Sequence, residues 1–184
     1  MEIEDKKTQD KAKALKIVNI TLVVIIVILA FILISMTFLW TPMTVVGPSM
    51  NNTLHDGEKI ILLTALYKYT YGDIIVFEKI ENEKNVIKRV IGLPGDRLRY
   101  DIIEKAWYRN GEKLEEEYVL EDYLSTYLDS SRAAIKVQLI SSEGYLVEED
   151  KVFVLGDNRN VSNDSHIYGS IDKSQILGKY LFGY

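Results

Sequence analysis

The chain has 184 residues with a formal net charge of −5, no cysteine and two histidines, His55 and His166. This length suffices for one domain with a hydrophobic core and an accessory segment. The missing cysteines exclude disulfides and thiolate metal ligands, and two histidines leave little material for a metal site or a Ser-His-Asp triad. The net charge is negative and the sequence has no basic patch of the kind that nucleic-acid-binding proteins carry. We therefore expect no nucleic acid partner, and for the reasons above no metal and no cofactor.

The first predicted element is a membrane helix at residues 17–40, a run of 24 residues without a charged side chain. About 20 apolar residues cross a bilayer as a helix, so this run can span it with some tilt. Residues 1–16 carry five lysines, and Trp40 suits the interfacial belt. The positive-inside rule predicts a single-pass protein of the cytoplasmic membrane, with residues 1–16 cytoplasmic and 41–184 extracytoplasmic. A cleavable signal peptide is the alternative, but the run is long for one and no small-residue cleavage site follows.

Residues 41–184 are predicted to form a mainly β domain. Short β-branched runs bounded by turn residues predict strands at 58–64, 73–80, 85–92, 106–109, 135–140 and 152–155. Asn110-Gly111 is a strong hairpin-turn signal after one of these runs. The acidic residues 114–128 are interpreted as partly helical. The stretch from about 100 to 150 is more polar than its flanks and is expected to form a small cap or insertion.

Lys88 lies in the middle of the predicted strand 85–92, with apolar neighbours on both faces. Successive strand side chains point to opposite faces, so Lys88 shares a face with Val86 and Val90, and Arg89 lies on the other. We therefore expect at least one of these two cations to lie against an apolar surface. Arginine stays protonated, whereas burial lowers the pKa of a lysine amine and lets it act as a base. An edge-strand lysine exposed to water fits the same local pattern.

Ser49 follows a Gly-Pro turn nine residues after Trp40, near enough to the predicted helix for a position close to the membrane surface. A serine becomes a nucleophile when a neighbouring base takes its proton, and lysine is one such base. Taken alone, Ser49 is an ordinary turn residue. A third segment, residues 156–169, is rich in Asp, Asn and Ser. Such a run usually forms a loop that satisfies its own backbone, although its hydroxyls and carboxylates could also orient an amine.

The order of these segments resembles the motif series of the type I signal peptidases. After the apolar helix come GPSM, YGDIIVF, IKRVIGLPGD and VFVLGDNR, followed by S-x-D-S and a C-terminal I-x-G-K. The resemblance extends from the anchor to residues 176–179, and within 100–150 it is limited to N-G-x-x-L and Tyr118. The short cap and single anchor are similar to the Gram-positive members.

The resemblance implies a fold, an activity and partners. The fold is an antiparallel β-sheet or partly open barrel that follows one transmembrane helix, with its active face on the lipid bilayer. The activity is that of a serine endopeptidase that removes N-terminal signal peptides from secretory preproteins, cutting after small residues at the first and third positions before the scissile bond. Met43, Val45 and Val46 are then expected to enter lipid.

The resemblance also implies a role for individual residues. Ser49 matches the nucleophile, whose backbone N–H contributes to the oxyanion hole, and Lys88 matches the general base. Ser162 matches the serine that orients the lysine amine, and Asp164 matches the carboxylate that braces the site. The loop that supports this set matches Asp157, Asn158 and Arg159.

The chain departs from the family pattern at four positions. Asn52 replaces a proline, which is expected to loosen the loop after the nucleophile, and Asn160 replaces a common aspartate. Gly47 stands where some members have an oxyanion-hole hydroxyl, so the hole is expected to use backbone donors. His166 replaces the arginine that pairs with Asp164, so this pair is expected to depend on pH. We expect these departures to affect efficiency or substrate range more than the Ser-Lys dyad.

Two other classes of function are alternatives to the protease. A non-catalytic factor for assembly of surface structures such as pili would share the fold, but loss of the serine or lysine would favour it and both are present. A protease dedicated to a few pilin-like substrates stays open. A self-cleaving repressor with a related Ser-Lys core conflicts with the membrane helix and with the lack of a DNA-binding segment.

Overall fold

The structure is a computed structural model that describes residues 2–79, 84–120 and 133–184. It divides the chain into two compact units, Met1–Leu39 and Trp40–Tyr184. The first unit is one helix, α1 (Glu2–Leu39), in which Lys11–Met36 has a mean hydropathy of 3.3 and no part buried inside the protein. A helix satisfies its own backbone hydrogen bonds, so this length and composition suit a bilayer span. Trp40, predicted to end the helix, is the first residue of a strand.

The second unit contains two antiparallel sheets. The strands of the described residues are β1 (Trp40–Thr44), β2 (Lys59–Leu63), β3 (Ile74–Lys79), β4 (Lys84–Gly92), β5 (Arg97–Asp101), β6 (Ala106–Arg109), β7 (Glu112–Lys113), β8 (Tyr145–Leu146), β9 (Lys151–Leu155), β10 (Ile171–Asp172) and β11 (Ile176–Gly183). The larger sheet has the order β1-β2-β11-β3-β4-β9-β10, and the smaller has the order β7-β6-β5-β8. The larger sheet is open, with β1 and β10 at its edges. The predicted mainly antiparallel β fold is confirmed.

The segment 135–140, predicted as a strand, is part of a helix, α2 (Ala133–Ile140), so that prediction was wrong. The run alternates apolar and polar residues, which fits a strand, but Ile135 and Leu139 are also spaced for one helix face. Both contact the core of the smaller sheet, whereas Val137 is exposed. Packing of this i, i+4 pair therefore selects the helix. Two short elements follow later, α3 (Ser165–Tyr168) and a 3₁₀ turn (Lys173–Gln175).

The hairpin prediction at Asn110-Gly111 is confirmed. These two residues have φ values of 52° and 86° and join β6 to β7, as a type I′ turn requires. The chain then continues without a helix through 114–120, the first part of the segment predicted to be partly helical. The remainder of that prediction, 121–128, lies outside the described residues.

Three parts of the larger sheet position the site described below. Strand β4 pairs with β3 from Lys84 to Arg89 and with β9 from Arg89 to Gly92, so the β4 edge before Arg89, which includes Lys88, is not paired by β9. The segment 45–58 connects β1 to β2, and residues 156–164 follow β9. A cluster of buried apolar residues lies beneath the first of these connections and includes Val45, Met50, Leu54, Ile60, Leu62, Ile74, Val76 and Ile87.

Candidate active site

Ser49 and Lys88, separated by 39 positions in sequence, meet on the second unit. Lys88 Nζ lies 2.7 Å from Ser49 Oγ and 2.9 Å from the carbonyl oxygen of Ile87. Lys88 is only 2% exposed, which excludes the alternative of a lysine in water. Burial disfavours the charged form of an amine. The arrangement therefore places a hydroxyl beside a base candidate at hydrogen-bonding distance.

The connection between β1 and β2 presents Ser49 on a short turn. Its two ends are joined by hydrogen bonds of Val45 N to Glu58 O, 2.8 Å, and of Gly57 N to Val45 O, 2.9 Å. The Val45 side chain is buried, with 2% exposed, so the expectation that it enters lipid was wrong. Its neighbour Val46 is 85% exposed.

Backbone donors near Ser49 are not equally available. Gly47 N–H donates to Asp56 Oδ1 at 2.8 Å and is therefore already engaged. Gly47 has no side-chain hydroxyl that could act as a donor in its place. Within the described residues, the Ser49 N–H has no hydrogen-bond acceptor. Ser49 N–H is therefore available as a hydrogen-bond donor to a bound group.

The loop after β9 holds the turn that carries Ser49 by hydrogen bonds to carbonyl oxygens of that turn. Asn158 N–H donates to Ser49 O at 3.0 Å, and Asn158 Nδ2 donates to Pro48 O at 3.1 Å. In the opposite direction, Asn52 Nδ2 donates to Asp157 O at 3.1 Å. The expectation that Asn52 loosens this loop was wrong, because its side chain supplies a bond between the two loops that a proline cannot make.

Asp157 lies at the centre of this contact and is fully buried. Arg89 donates to it from Nε at 2.8 Å and from Nη2 at 2.6 Å, and the hydroxyl of Thr53 also donates to its carboxylate. Burial alone would lower the pKa of Arg89, but the bonds to Asp157 raise it above the usual arginine value. Arg89 and Thr53 were not predicted as site residues. For Arg89, the alternation of the strand beside Lys88 was the available signal.

Asp164, also fully buried, joins two neighbouring segments. It accepts hydrogen bonds from Gly156 N at 2.8 Å and from His166 N at 3.3 Å, and its Oδ1 lies 2.6 Å from His166 Nδ1. Burial opposes ionisation of Asp164, but the partners His166 and Gly156 hold its pKa below the usual aspartate value. The predicted pair of Asp164 with His166 is therefore present in the structure.

Ser162 and Arg159, the remaining predicted residues, are both buried next to Gly156. Within the described residues, Ser162 Oγ does not bond to the Lys88 amine, so the expected bond is not formed here. Ser162 lies beside the Asp164 carboxyl and helps to hold its pKa low. Ser162 Oγ instead lies against Gly156, on the same side as the Ser49 carbonyl oxygen. Arg159 is 1% exposed, and its Nε donates to the Gly156 carbonyl at 3.0 Å.

A cleft of about 590 Å³ opens at Ser49 and Lys88. Its other lining residues come from β1, the following turn, β4 and the loop after β9: Met43, Thr44, Val45, Val46, Gly47, Met50, Asn85, Val86, Ile87 and Asn163. Most of these are apolar. Among the described residues, no three His, Asp or Glu side chains are grouped so that they could hold a metal ion.

Comparison with known proteins gives one consistent result. The sequence profile described as signal peptidase, peptidase S26, matches residues 17–184. Signal peptidase IB of Staphylococcus aureus is 34% identical over 167 residues, 86% of each chain, and signal peptidase I of Bacillus licheniformis is 35% identical over 97% of this chain and 92% of its own. A crystal structure of a signal peptidase I from Enterococcus faecalis is 30% identical and covers 62% of this chain and 98% of its own, with a TM-score of 0.47. The chain belongs to the signal peptidase I family of serine endopeptidases, peptidase S26.

Proposed function

We propose that this protein cleaves N-terminal signal peptides from exported preproteins, with Ser49 as the nucleophile and Lys88 as the general base. The observation that carries the proposal is the 2.7 Å separation of Ser49 Oγ and Lys88 Nζ, with the lysine buried at the end of an apolar cleft. Serine needs a neighbouring base, and a buried lysine is one that can be neutral near pH 7.

The first step is acylation of Ser49. The neutral Lys88 amine accepts the hydroxyl proton while Ser49 Oγ attacks the carbonyl carbon of the scissile peptide bond. The Ser49 N–H donates to the oxygen that gains negative charge, and one such donor is worth about 3–4 kcal/mol of transition-state stabilisation. The Lys88 ammonium then protonates the leaving amine, so that the mature protein departs and an ester of Ser49 with the signal peptide remains.

Deacylation uses the same groups. Lys88, neutral again, takes a proton from a water molecule that attacks the ester carbonyl, and the returning proton restores the Ser49 hydroxyl. Ser162 and Asp164 support the site: Asp164 accepts a hydrogen bond from the Gly156 N–H, and Ser162 Oγ and the Ser49 carbonyl oxygen both lie next to Gly156. The loop of Asp157, Asn158 and Arg159 keeps the nucleophile turn in place.

The cleft suits an extended peptide with apolar or small side chains. Among the described strands, β1 is paired only by β2, and β4 is not paired by β9 before Arg89, so both border the cleft with a strand edge. A substrate segment can add to such edges through backbone hydrogen bonds while alternate side chains enter the apolar wall. The apolar part of α1 anchors the protein in the cytoplasmic membrane, and the lysines in the N-terminal part of the same helix favour a cytoplasmic N-terminus. The second unit is then extracytoplasmic.

The test is cleavage of a labelled preprotein by purified full-length protein in detergent. We expect Ser49→Ala and Lys88→Ala to stay folded by circular dichroism and to lose cleavage, whereas the exposed controls Ser142→Ala and Lys59→Ala keep it. Full cleavage by either site variant would refute the dyad. Cleavage of several unrelated preproteins supports general processing, and cleavage of only pilin-like substrates indicates a dedicated enzyme.

A further inference from the structure

A glutamate from the chain segment that follows β7 makes a buried contact with the loop beside the nucleophile. Arg159 donates from Nη1 to Glu116 Oε2 at 2.8 Å and from Nη2 to Glu116 Oε1, a two-point pairing. The side chains are 1% and 9% exposed. A bidentate, desolvated pair of this kind fixes the guanidinium in one orientation. That orientation directs Arg159 Nε to the Gly156 carbonyl, 3.0 Å away.

Tyr118, two residues further on, contacts the other arginine of the site. The Arg89 guanidinium lies over its ring, 4.0 Å from the ring centre, a favourable cation–π arrangement. The Tyr118 hydroxyl donates to Glu116 Oε1 at 3.1 Å. Burial raises the pKa of Tyr118, which keeps this hydroxyl protonated. Glu116 and Tyr118 therefore support each other: Glu116 pairs with the buried Arg159, and the Tyr118 ring lies against the partly buried Arg89.

Both arginines connect this segment to Ser49. Arg89 holds the Asp157 carboxylate by two hydrogen bonds, and Arg159 holds the Gly156 carbonyl. The next residue along the loop, Asn158, donates its N–H to the Ser49 carbonyl. Displacement of either guanidinium would therefore move the peptides that fix the position of the nucleophile.

We propose that Glu116 and Tyr118 are positioning residues for the peptidase reaction, which orient Arg159 and Arg89 and thereby hold the loop 156–158 against Ser49. The proposal rests on the proposed function and deepens it, because it assigns part of the catalytic precision to the region that resembles the family least. Neither side chain lines the cleft. Their effect is on the rate of the chemical steps and not on substrate binding.

The kinetic test compares Glu116→Gln with Glu117→Gln, an exposed neighbour of the same type. Loss of the carboxylate charge is expected to lower kcat about 10- to 100-fold, since small misplacements of reacting groups have effects of this size. KM stays within threefold, and the control variant keeps both constants. Tyr118→Phe retains the ring over Arg89 and stays within threefold of the wild type, whereas Tyr118→Leu loses about tenfold in kcat. Wild-type kcat in Glu116→Gln, or a loss that appears only in KM, contradicts the proposal.

A double variant separates positioning from general stability. Glu116→Gln alone leaves the buried Arg159 charge without its carboxylate and lowers the Tm. In Glu116→Gln with Arg159→Gln no unpaired charge remains, so the Tm recovers toward the wild-type value. The kcat stays low in the double variant, because the Gly156 carbonyl has lost its guanidinium donor. Recovery of kcat together with the Tm would show that the pair has only a structural role and would overturn the proposal.

Hydrogen exchange of the full-length protein in detergent tests the same contacts without reference to cleavage. Amides of residues 156–158 are expected to exchange about tenfold faster in Glu116→Gln than in the wild type or in Glu117→Gln, while amides of β2 are unchanged. If the wild type cleaves no preprotein, the proposed function fails, but faster exchange still supports the bracing contact. Unchanged exchange at residues 156–158 refutes the bracing contact whatever the activity.

Discussion

Replacement of Gly156 by alanine is expected to disable the site through the position of one methyl group. The Gly156 φ angle lies outside the left-handed region, so an alanine is compatible with its backbone. The added Cβ, however, would lie 2.5 Å from the Ser49 carbonyl oxygen and 2.7 Å from Ser162 Cβ, and closer still to Ser162 Oγ. Two of these three atoms belong to the serine that the resemblance assigns to orienting Lys88, and the third belongs to the nucleophile residue.

The size of the effect follows from the required displacement. Ordinary contact begins near 3.4 Å, so the Ser49 carbonyl must retreat by about 0.9 Å. A misplacement of about 1 Å can reduce a rate about 100-fold, equivalent to about 2.7 kcal/mol of activation free energy. Added methyl groups in packed regions reduce stability by about 1–3 kcal/mol. We therefore expect a folded protein whose kcat/KM falls at least about 100-fold.

The assay measures kcat/KM on a purified preprotein together with thermal unfolding. Gly92→Ala is the matched control, because its Cβ would lie 2.7 Å from Leu98 Cδ1 and 3.0 Å from Val147 Cγ2, in the apolar core of the smaller sheet. This variant should lose a similar amount of stability, yet keep kcat/KM within about threefold. If the two variants lose activity in equal proportion to their loss of Tm, the steric argument for Gly156 is wrong.

Three further predictions test other contacts of the site. Asn52→Ala removes the side-chain donor to Asp157 O. It should lower the free energy of unfolding, measured by urea titration, by about 1 kcal/mol and reduce kcat/KM severalfold. No change in either quantity would show that the bond between the loops is unimportant. Arg89→Lys cannot reproduce the paired bonds to Asp157, so we expect about a tenfold loss of kcat/KM in the cleavage assay, and wild-type activity would argue against a need for the fork geometry. The pKa of Asp164 is lower in the folded than in the unfolded chain, so its carboxylate stabilises the fold above the ordinary aspartate value of 3.8 and this contribution is lost as the pH falls below it. We expect Tm measurements from pH 3 to 7 to show a lower Tm for Asp164→Asn than for the wild type at pH 7 and a smaller difference between the two under acid conditions. The exposed control Asp150→Asn should show no such pH-dependent difference. A difference in Tm between Asp164→Asn and the wild type that stays constant across this range would contradict the linkage.

Several strands with clear sequence boundaries were predictable, whereas the short strands β8 and β10, the edge strand β1 and the inner strands β5 and β11 were not predicted. The strand around Lys88 is β-branched and flanked by turns, and the predicted residues 85–92 lie within β4 (Lys84–Gly92). Strand β1 contains Pro42, which argues against a central strand but is tolerated at a sheet edge. β8 and β10 have two residues each and no local pattern that distinguishes them from turns. Their existence depends on pairing with β5 and β9, which sequence periodicity does not contain.

The site residues that could be predicted are those that lie within the family motifs. Ser49 and Lys88 were paired by resemblance, and the alternation of the strand explained why a cation there could be buried. The partner of Arg159 was not predicted, because Glu116 lies 43 positions earlier among several acidic residues. Its neighbours Glu115 and Glu117 are exposed. Only the three-dimensional path of the chain after β7 distinguishes the buried glutamate from these solvated ones.

Two departures from the family pattern, Gly47 and Asn52, lie beside Ser49, where the bonds to the loop after β9 involve backbone groups of the turn or of the loop. The turn that carries Ser49 is held through the carbonyl oxygens of Pro48 and Ser49, which any residue type provides, by the side-chain amide and the N–H of Asn158 respectively. Glycine at position 47 is therefore compatible with the turn, and an asparagine at position 52 adds a bond instead of removing one. By contrast, the buried charges near the site depend on specific partners, because an unpaired charge in the interior is unfavourable. Substitutions that alter Asp157, Arg89, Arg159 or Glu116 should for this reason affect activity more strongly than substitutions within the turn that carries Ser49, apart from Ser49 itself.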